Sequence, residues 1–164
     1  LAYLDAKYVK GSRTENQGTS AAPIFVDRSG EPVTQAPEWT ANIGATQTFE
    51  LDFGDLSFHA DYAYVSSRAM DAATVKSLAQ GGTQASIDAT AIGNAASIIK
   101  GYGLLNGRIA LNLKDPNLEI AFWGRNLTDK PWFTNVFNNY TGLGATVQFQ
   151  GAPRTFGATA TFKY

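Results

Sequence analysis

The chain has 164 residues, a net charge of −1 and 16% charged residues, fewer than the roughly 25% of an ordinary soluble domain. This composition argues against nucleic acid as a partner, since no basic stripe is present, and an aromatic content of 12% argues against disorder. Cysteine is absent and histidine occurs once, which excludes disulfides, thiolate metal sites and multi-histidine metal sites. No apolar run approaches the roughly 18 residues of a membrane-spanning helix.

Alternation of apolar and polar residues is the dominant pattern and predicts about six strands of roughly nine to eleven residues. The first strand, around Leu4, Ala6 and Tyr8, is the least clear. The other five fall at 40–51, 56–64, 105–113, 118–126 and 155–164. The opening LAYLDAKYVK lacks an initiating Met and a signal-peptide pattern, which predicts the C-terminal part of a longer protein.

The connections between these strands are of two kinds that alternate along the chain. DFGD (52–55) and KDPN (114–117) have the composition of tight turns, whereas 10–39, 67–103 and 127–153 are long. All short turns therefore fall at one end of the sheet, as in outer-membrane barrels with short periplasmic turns and long extracellular loops. Within the middle loop, Asp71 could cap a short helix ending at Gly81 and Gly82; the rival interpretation is a packing helix of a soluble α+β domain.

The two faces of the strands also favour a barrel wall. The polar faces carry Thr and Asn more than Lys and Glu, which is typical of a lumen, and the strand lengths suit a tilted crossing of a bilayer. The alternative is a soluble or cell-surface β-sandwich that binds a ligand, in which Phe58, Ile109, Phe122 and Phe162 would pack in a closed dry core. Aromatic residues occur near strand ends, as an interfacial girdle requires: Trp39, Phe49, Tyr62, Tyr64, Phe156, Phe162 and Tyr164.

Four segments, in order, resemble the TonB-dependent receptors of the outer membrane. They are APEWTANIGA (36–45), GYGLLNGRIAL (101–111), GRNLTDKPWFTN (124–135) and the terminal GAPRTFGATATFKY (151–164). The resemblance implies an all-β fold, namely the last six strands of an antiparallel, up-and-down, 22-stranded transmembrane barrel. Residues 1–164 would then be the C-terminal part of the barrel domain, without the plug domain and the TonB box.

The same resemblance implies a function and partners. The function would be TonB-energised uptake of a scarce nutrient, most often a ferric siderophore, at the outer membrane of a Gram-negative bacterium. The partners would be membrane lipid, the TonB complex through an absent N-terminal region, and the barrel-assembly machinery, for which Phe162 and Tyr164 would be the terminal signal. On the last strand, Phe156, Ala158, Ala160, Phe162 and Tyr164 would face lipid.

Candidate site residues fall into three groups, and no pattern of an enzyme, a metal site or a cofactor site occurs among them. Loop aromatics that could contact a substrate or pack on one another are Trp132, Phe133, Phe137, Tyr140 and Phe149. Residues predicted to fix the base of the last loop are Arg125, Asn126, Asp129 and Arg154. Charges on the polar faces, predicted to form lumenal ion pairs, are Glu50, Asp61, Arg108, Glu119 and Arg125. His59 shares a face with Asp61 and is predicted to be a structural or solvated histidine instead of a ligand.

Overall fold

The structure, a computed structural model, describes residues 1–12, 14–16, 21–27, 29–30, 33–72, 78 and 81–162. Antiparallel strands dominate, with two helices in the long loops. In chain order the elements are β1 (Ala2–Tyr3), β2 (Thr14–Asn16), β3 (Phe25–Asp27), β4 (Trp39–Leu51), β5 (Gly54–Val65), β6 (Arg68–Ala69), α1 (Gln84–Ala96), β7 (Ile98–Ile99), β8 (Tyr102–Leu113), β9 (Leu118–Arg125), β10 (Phe133–Asn139), α2 (Tyr140–Leu143), β11 (Ala145–Gln150) and β12 (Thr155–Phe162).

The main sheet has six strands in the order β1-β4-β5-β8-β9-β12, which is an up-and-down meander. Residues 52–53 join β4 to β5, and 114–117 join β8 to β9. Because Gly54 pairs with Leu113, both turns lie at the same end of the strands, here called the turn end. The three long connections lie at the opposite end of the strands, the loop end. The predicted all-β fold, with its alternation of short turns and long loops, is confirmed.

One face of the main sheet is apolar and uncovered. The register places Phe58 beside Ile109 and Ile109 beside Phe122, so the apolar residues of neighbouring strands form continuous rows. Phe58, Ile109, Phe122 and Phe162 are 40%, 46%, 62% and 59% exposed. Within the described residues these four side chains therefore do not pack in the closed dry core that the β-sandwich alternative requires.

The opening strand is shorter than predicted. Only Ala2 and Tyr3 pair with β4, opposite Thr40 and Trp39. Beyond them, the carbonyl oxygens of Ala6 and Tyr8 accept hydrogen bonds from the backbone of residues 33 and 30, so this segment bonds to its own loop instead of the sheet. The prediction that Leu4, Ala6 and Tyr8 lie on a sheet strand is therefore wrong.

Aromatic rings cover glycines on adjacent strands. Gly157 pairs directly with Trp123, and the indole lies where a Cβ on Gly157 would be. On the opposite face, the phenol ring of Tyr62 occupies the corresponding space above Gly103. Such ring-over-glycine contacts help to fix the register, because a shift by one residue would bring a side chain under the ring.

The long loops contain ordered elements that the alternation did not predict. Thr83 caps α1 through a reciprocal pair of hydrogen bonds with Ser86. The helix predicted between Asp71 and Gly82 lies largely outside the described residues, as does Tyr164 of the proposed terminal signal. Neither α1 nor α2, the helices of the described part, is long and apolar enough to cross a membrane.

The second and third long loops pack on each other. At Gly93 of α1, a Cβ would lie 2.7 Å from Oδ1 of Asn138 and 2.9 Å from Cβ of Tyr140, so only glycine fits this approach. Val136 of β10 is buried, with the hairpin β10–β11 in contact with α1 and β7. The two loops thus form one packed assembly at the loop end of the sheet.

Candidate functional site

Polar side chains on the face opposite the apolar one form a series of hydrogen bonds and close contacts across β4, β5 and β8. Thr46 Oγ1 lies 2.8 Å from Nδ1 of His59, and Nε2 of His59 lies 3.5 Å from Oδ1 of Asp61. The side-chain amide of Asn106 donates to Oδ2 of Asp61 at 2.8 Å, and Oδ1 of Asn106 accepts from the backbone N–H of Asn126 at 3.1 Å. Each member is therefore held by neighbours on an adjacent strand or loop.

Arg108 and Glu119 form an ion pair on this same face. Their side chains reach toward each other across the paired residues Ala110 and Ala121, both of which are buried. The alanines leave room for the ion pair to lie on the sheet. Among the charges predicted to pair on this face, Arg108 and Glu119 do so.

A cavity of about 460 Å³, here called the polar cleft, opens on this face. Arg125 at its edge holds its guanidinium carbon 5.5 Å from the centre of the Trp123 ring. Within the described part of the chain, no group of three His, Cys, Asp or Glu residues could hold a metal ion. The side chains that line the polar cleft are those of His59, Asp61, Asn106, Arg108, Trp123 and Arg125.

Asn126 is the centre of the base of the last long loop. The residue as a whole is 4% exposed to solvent. Its backbone has a φ of 50°, which lies in the left-handed region. Oδ1 accepts the backbone N–H of Lys130 at 2.9 Å, while Nδ2 donates to the carbonyl oxygens of Lys130 at 3.0 Å and Ala152 at 3.5 Å. One amide thus ties the start of the loop to its return.

Asp129 and Arg154 join the two sides of the same loop closer to solvent. The backbone N–H of Arg154 donates to Oδ1 of Asp129 at 3.3 Å, and Nη2 of Arg154 lies 3.7 Å from Oδ2. Arg125, the fourth residue predicted here, instead lies over Trp123 at the polar cleft.

The predicted loop aromatics do not form one cluster. The indole N–H of Trp132 donates to the carbonyl oxygen of Ala152 at 3.0 Å, and its ring centre lies 5.1 Å from that of Tyr102. Phe133 is half-buried at the start of β10, and Tyr140 is half-buried at the start of α2. Phe137 and Phe149 are exposed on the hairpin β10–β11. Of these five aromatic residues, Trp132 is the one whose ring contacts another aromatic ring, that of Tyr102.

Sequence reasoning missed a group of three side chains, the loop-end cluster, made of Arg68, Tyr102 and Trp132. Tyr102 lies on the polar face of β8, and the guanidinium carbon of Arg68 lies 5.9 Å from its ring centre. Nη1 of Arg68 is buried and has no hydrogen-bond partner among the described residues. An arginine over the Tyr102 ring, which itself contacts Trp132, could bind an anionic or aromatic ligand.

Two exposed residues in the segment before β4, Asp27 and Lys7, have shifted pKa values. The Ser29 hydroxyl donates to Oδ1 of Asp27 at 2.7 Å and lowers the pKa of Asp27 below its ordinary value. The hydrogen bond and negative charge of Asp5 raise the pKa of Lys7. Neither pair lines the polar cleft, so these shifts describe local surface contacts.

Comparison with solved structures finds a similar architecture. The chain matches the crystal structure of the ferric yersiniabactin uptake receptor FyuA from Yersinia pestis with a TM-score of 0.61 and 16% sequence identity. The fold is similar to part of a β-barrel receptor. The match covers 83% of this chain but 18% of the receptor's length, and at this identity it concerns the fold alone. No protein-family model matches the sequence, and no curated protein matches it.

Proposed function

We propose that residues 1–164 are the C-terminal part of the barrel of a TonB-dependent outer-membrane receptor. The observation that carries this proposal is the uncovered apolar face of a six-stranded meander with short turns at one end. In water such a face is unfavourable, whereas in a membrane it is the surface that lipid requires. The likeness to part of a siderophore receptor supports the same proposal.

The proposed activity is energy-coupled uptake of a bulky nutrient, with a ferric siderophore as the leading substrate class. The long loops would capture the substrate, and the polar face would line the lumen. A plug domain, pulled by the inner-membrane TonB complex, would then open the path. Membrane lipid and, through the terminal strand with Phe162 and Tyr164, the barrel-assembly machinery are the other proposed partners.

The proposed assignment to the TonB-dependent receptors is tested with the complete reading frame expressed in a Gram-negative host. We expect the protein in the outer-membrane fraction, with electrophoretic mobility that changes on heating, as for a folded barrel. Uptake of radiolabelled ferric siderophores is expected to disappear when the TonB complex is deleted. A monomer that stays soluble without detergent would overturn the proposal.

The loop-end cluster is the proposed substrate contact at the loop end of the lumen. Replacing Arg68 with alanine is expected to weaken ligand binding by roughly ten- to a hundredfold, because a charge-assisted hydrogen bond contributes roughly 1.5–3 kcal/mol. Titration of ferric siderophores against tryptophan fluorescence measures this change. The matched control is Lys114→Ala at the turn end, which should bind like the unmodified protein; equal loss in both variants would remove Arg68 from the site.

A further inference from the structure

Arg68 of the loop-end cluster lies outside the main sheet. Two residues separate it from Val65, the last residue of β5. Arg68 begins β6, which pairs with β7 in a separate two-stranded sheet, where Arg68 lies opposite Ile99. The position of the Arg68 side chain therefore depends on how the loops hold β6 and β7.

Hydrogen bonds from the first and second long loops hold β6 in place. The backbone N–H of Gln35 donates to the carbonyl oxygen of Ala69 at 2.8 Å. Directly after β6, the backbone N–H of Met70 donates to the carbonyl oxygen of Ser97 at 3.0 Å, and the Ser97 hydroxyl donates to the carbonyl oxygen of Asp71 at 3.2 Å. Ser97 is buried and is the C-cap of α1, so β6 is tied to the end of that helix.

The third long loop packs on the same unit. Strand β10 contacts both α1 and β7. Val136 of β10 and Ile99 of β7 are both buried. Trp132 directly precedes β10, so the packing of β10 on β7 and α1 also fixes the Trp132 side of the loop-end cluster relative to Arg68.

A close approach of the second and third loops occurs at Gly93. Its carbonyl oxygen accepts the backbone N–H of Ser97, so Gly93 lies about one helical turn before the C-cap that holds β6. The side chain of Asn138 and Cβ of Tyr140 fill the space that a side chain on Gly93 would need. Any larger residue here would push α1 away from β10 and α2.

The guanidinium of Arg68 is held in an orientation that lacks an acceptor. Nη1 is buried, and it has no hydrogen-bond partner among the residues that the structure describes. A buried donor without an acceptor is unfavourable, and an unrestrained arginine would turn it toward water. The packed loops prevent this turn, and a ligand that supplies an anionic oxygen would offset the unfavourable burial.

We propose that the close approach of the second and third loops at Gly93 positions Arg68 for the anionic group of the ligand. The inference rests on the proposed role of the loop-end cluster as the substrate contact. Gly93 is a positioning residue that acts through Arg68 and does not touch the ligand. A side chain at Gly93 would separate α1 from β10 and move β7 and β6, and with them Arg68, away from the two rings of the cluster.

The test uses the full-length protein in a neutral detergent, with iodide as the anionic probe and acrylamide as the neutral one. Both quench tryptophan fluorescence on contact. The signal of Trp132 is obtained as the difference between each protein and its Trp132→Phe counterpart. Quenching by acrylamide measures access to Trp132, so the ratio of the iodide to the acrylamide quenching constant measures the positive charge beside this ring.

The variant Gly93→Leu separates the loops, and Ala91→Leu is its matched control. Ala91 is exposed and lies nearly on the opposite side of α1, so the control adds leucine to the same helix without touching the third loop. Leucine has a higher helix propensity than glycine, so an effect of Gly93→Leu cannot come from a weaker intrinsic preference of α1 for the helix.

We expect the quenching ratio to be about twofold lower in Gly93→Leu than in Ala91→Leu, and to be similarly low in Arg68→Ala. A nearby unit charge, screened by salt, raises the local concentration of an anion by about this factor. In the Arg68→Ala background, Gly93→Leu should have no further effect, because it acts through that charge. If Gly93→Leu does not assemble, Gly93→Ala is expected to lower the ratio in the same direction.

Equal ratios in Gly93→Leu and Ala91→Leu would overturn the inference, as would a further fall when Gly93→Leu is added to Arg68→Ala. An unchanged ratio in Arg68→Ala would also overturn it, because Arg68 would not be the charge beside Trp132. The proposed function is checked on the same samples by outer-membrane fractionation and heat-dependent mobility. A protein outside the outer membrane contradicts the proposed function, whereas a folded outer-membrane barrel with equal ratios contradicts the positioning role alone.

Discussion

Replacing Gly54 with alanine is expected to lower the free energy of unfolding by about 3 kcal/mol. Gly54 is buried where β5 leaves its turn, paired with Leu51 on one side and Leu113 on the other. A Cβ there would overlap the carbonyl oxygen of Asn112 and lie 3.0 Å from its carbonyl carbon and 3.1 Å from Cα of Leu113. These are backbone atoms of β8, so no side-chain rotation can relieve the overlap, and the strands must separate.

The matched control is Gly44→Ala on the adjacent strand. At Gly44 the nearest atoms to a Cβ are the carbonyl oxygen of Ala60 and Cβ of Asp61, both at the ordinary distance of 3.5 Å. We expect this variant to remain within about 0.5 kcal/mol of the unmodified protein. The measurement is unfolding in urea with the protein in lipid vesicles, followed by tryptophan fluorescence. If Gly54→Ala and Gly44→Ala unfolded at similar urea concentrations, the contact between β5 and β8 at the turn end would not be close-packed.

The long strands and tight turns were predictable because their signals are local. Alternation with period two sets the face of each residue in 40–51 and 105–113, whatever the partner strand is. The Lys-Asp-Pro-Asn composition of 114–117 disfavours strand continuation, and this turn begins and ends as predicted. The uncovered face could not be predicted from alternation, because a sandwich and a barrel wall share the same pattern.

The helix α1 escaped prediction for a physical reason. Its sequence, QASIDATAIGNAA, has small residues on most sides and no strong apolar stripe. Its capping box uses Ser86 at the third position, where Glu or Gln is the usual signal. The helix is held in place by tertiary packing at Gly93 against β10 and α2, and such packing leaves no periodic mark on the sequence.

The candidate sites depend on contacts between distant segments. Arg68, Tyr102 and Trp132 come from three parts of the chain and meet only after the sheet and loops have formed. The charges of the polar face could be assigned to that face by alternation, but their partners follow from the register, which places Arg108 and Glu119 on either side of an alanine pair. Residue types were therefore predictable and their combinations were not.

The base of the last loop offers the second large effect, at Asn126. Replacing Asn126 with alanine is expected to lower the free energy of unfolding by roughly 3 kcal/mol. The backbone N–H of Lys130 would lose its buried acceptor, which costs about 1–3 kcal/mol, and alanine at a φ of 50° adds about 1 kcal/mol. Unfolding in urea measures the loss, and proteolysis between 127 and 153 should become faster because this amide ties the two sides of the loop together.

Two further variants separate the hydrogen bonds of Asn126 from its backbone conformation. Asn126→Gly removes the side chain but tolerates the left-handed conformation, so its loss should be about 1 kcal/mol smaller than that of alanine. Asn126→Asp keeps the acceptor for Lys130 but replaces the donor with a carboxylate oxygen facing the carbonyl oxygens of Lys130 and Ala152. We expect this near-isosteric variant to be at least as unstable as alanine, because a buried charge would face two acceptors.

The matched control for backbone conformation is Asp129→Gly. Asp129 also has a positive φ, at 53°, but its two contacts with Arg154, a 3.3 Å hydrogen bond from the backbone N–H and a 3.7 Å ion pair, are exposed to solvent, so the glycine variant should lose at most about 1 kcal/mol. If Asn126→Asp proved as stable as the unmodified protein, the two amide-to-carbonyl hydrogen bonds would contribute nothing to the loop base. If Asp129→Gly instead lost as much unfolding free energy as Asn126→Gly, the loss would not be specific to the hydrogen bonds of the Asn126 side chain. The distinction matters because the backbone N–H of Asn126 also donates to Oδ1 of Asn106 on the polar face, so this residue joins the loop base to the polar side chains of the sheet.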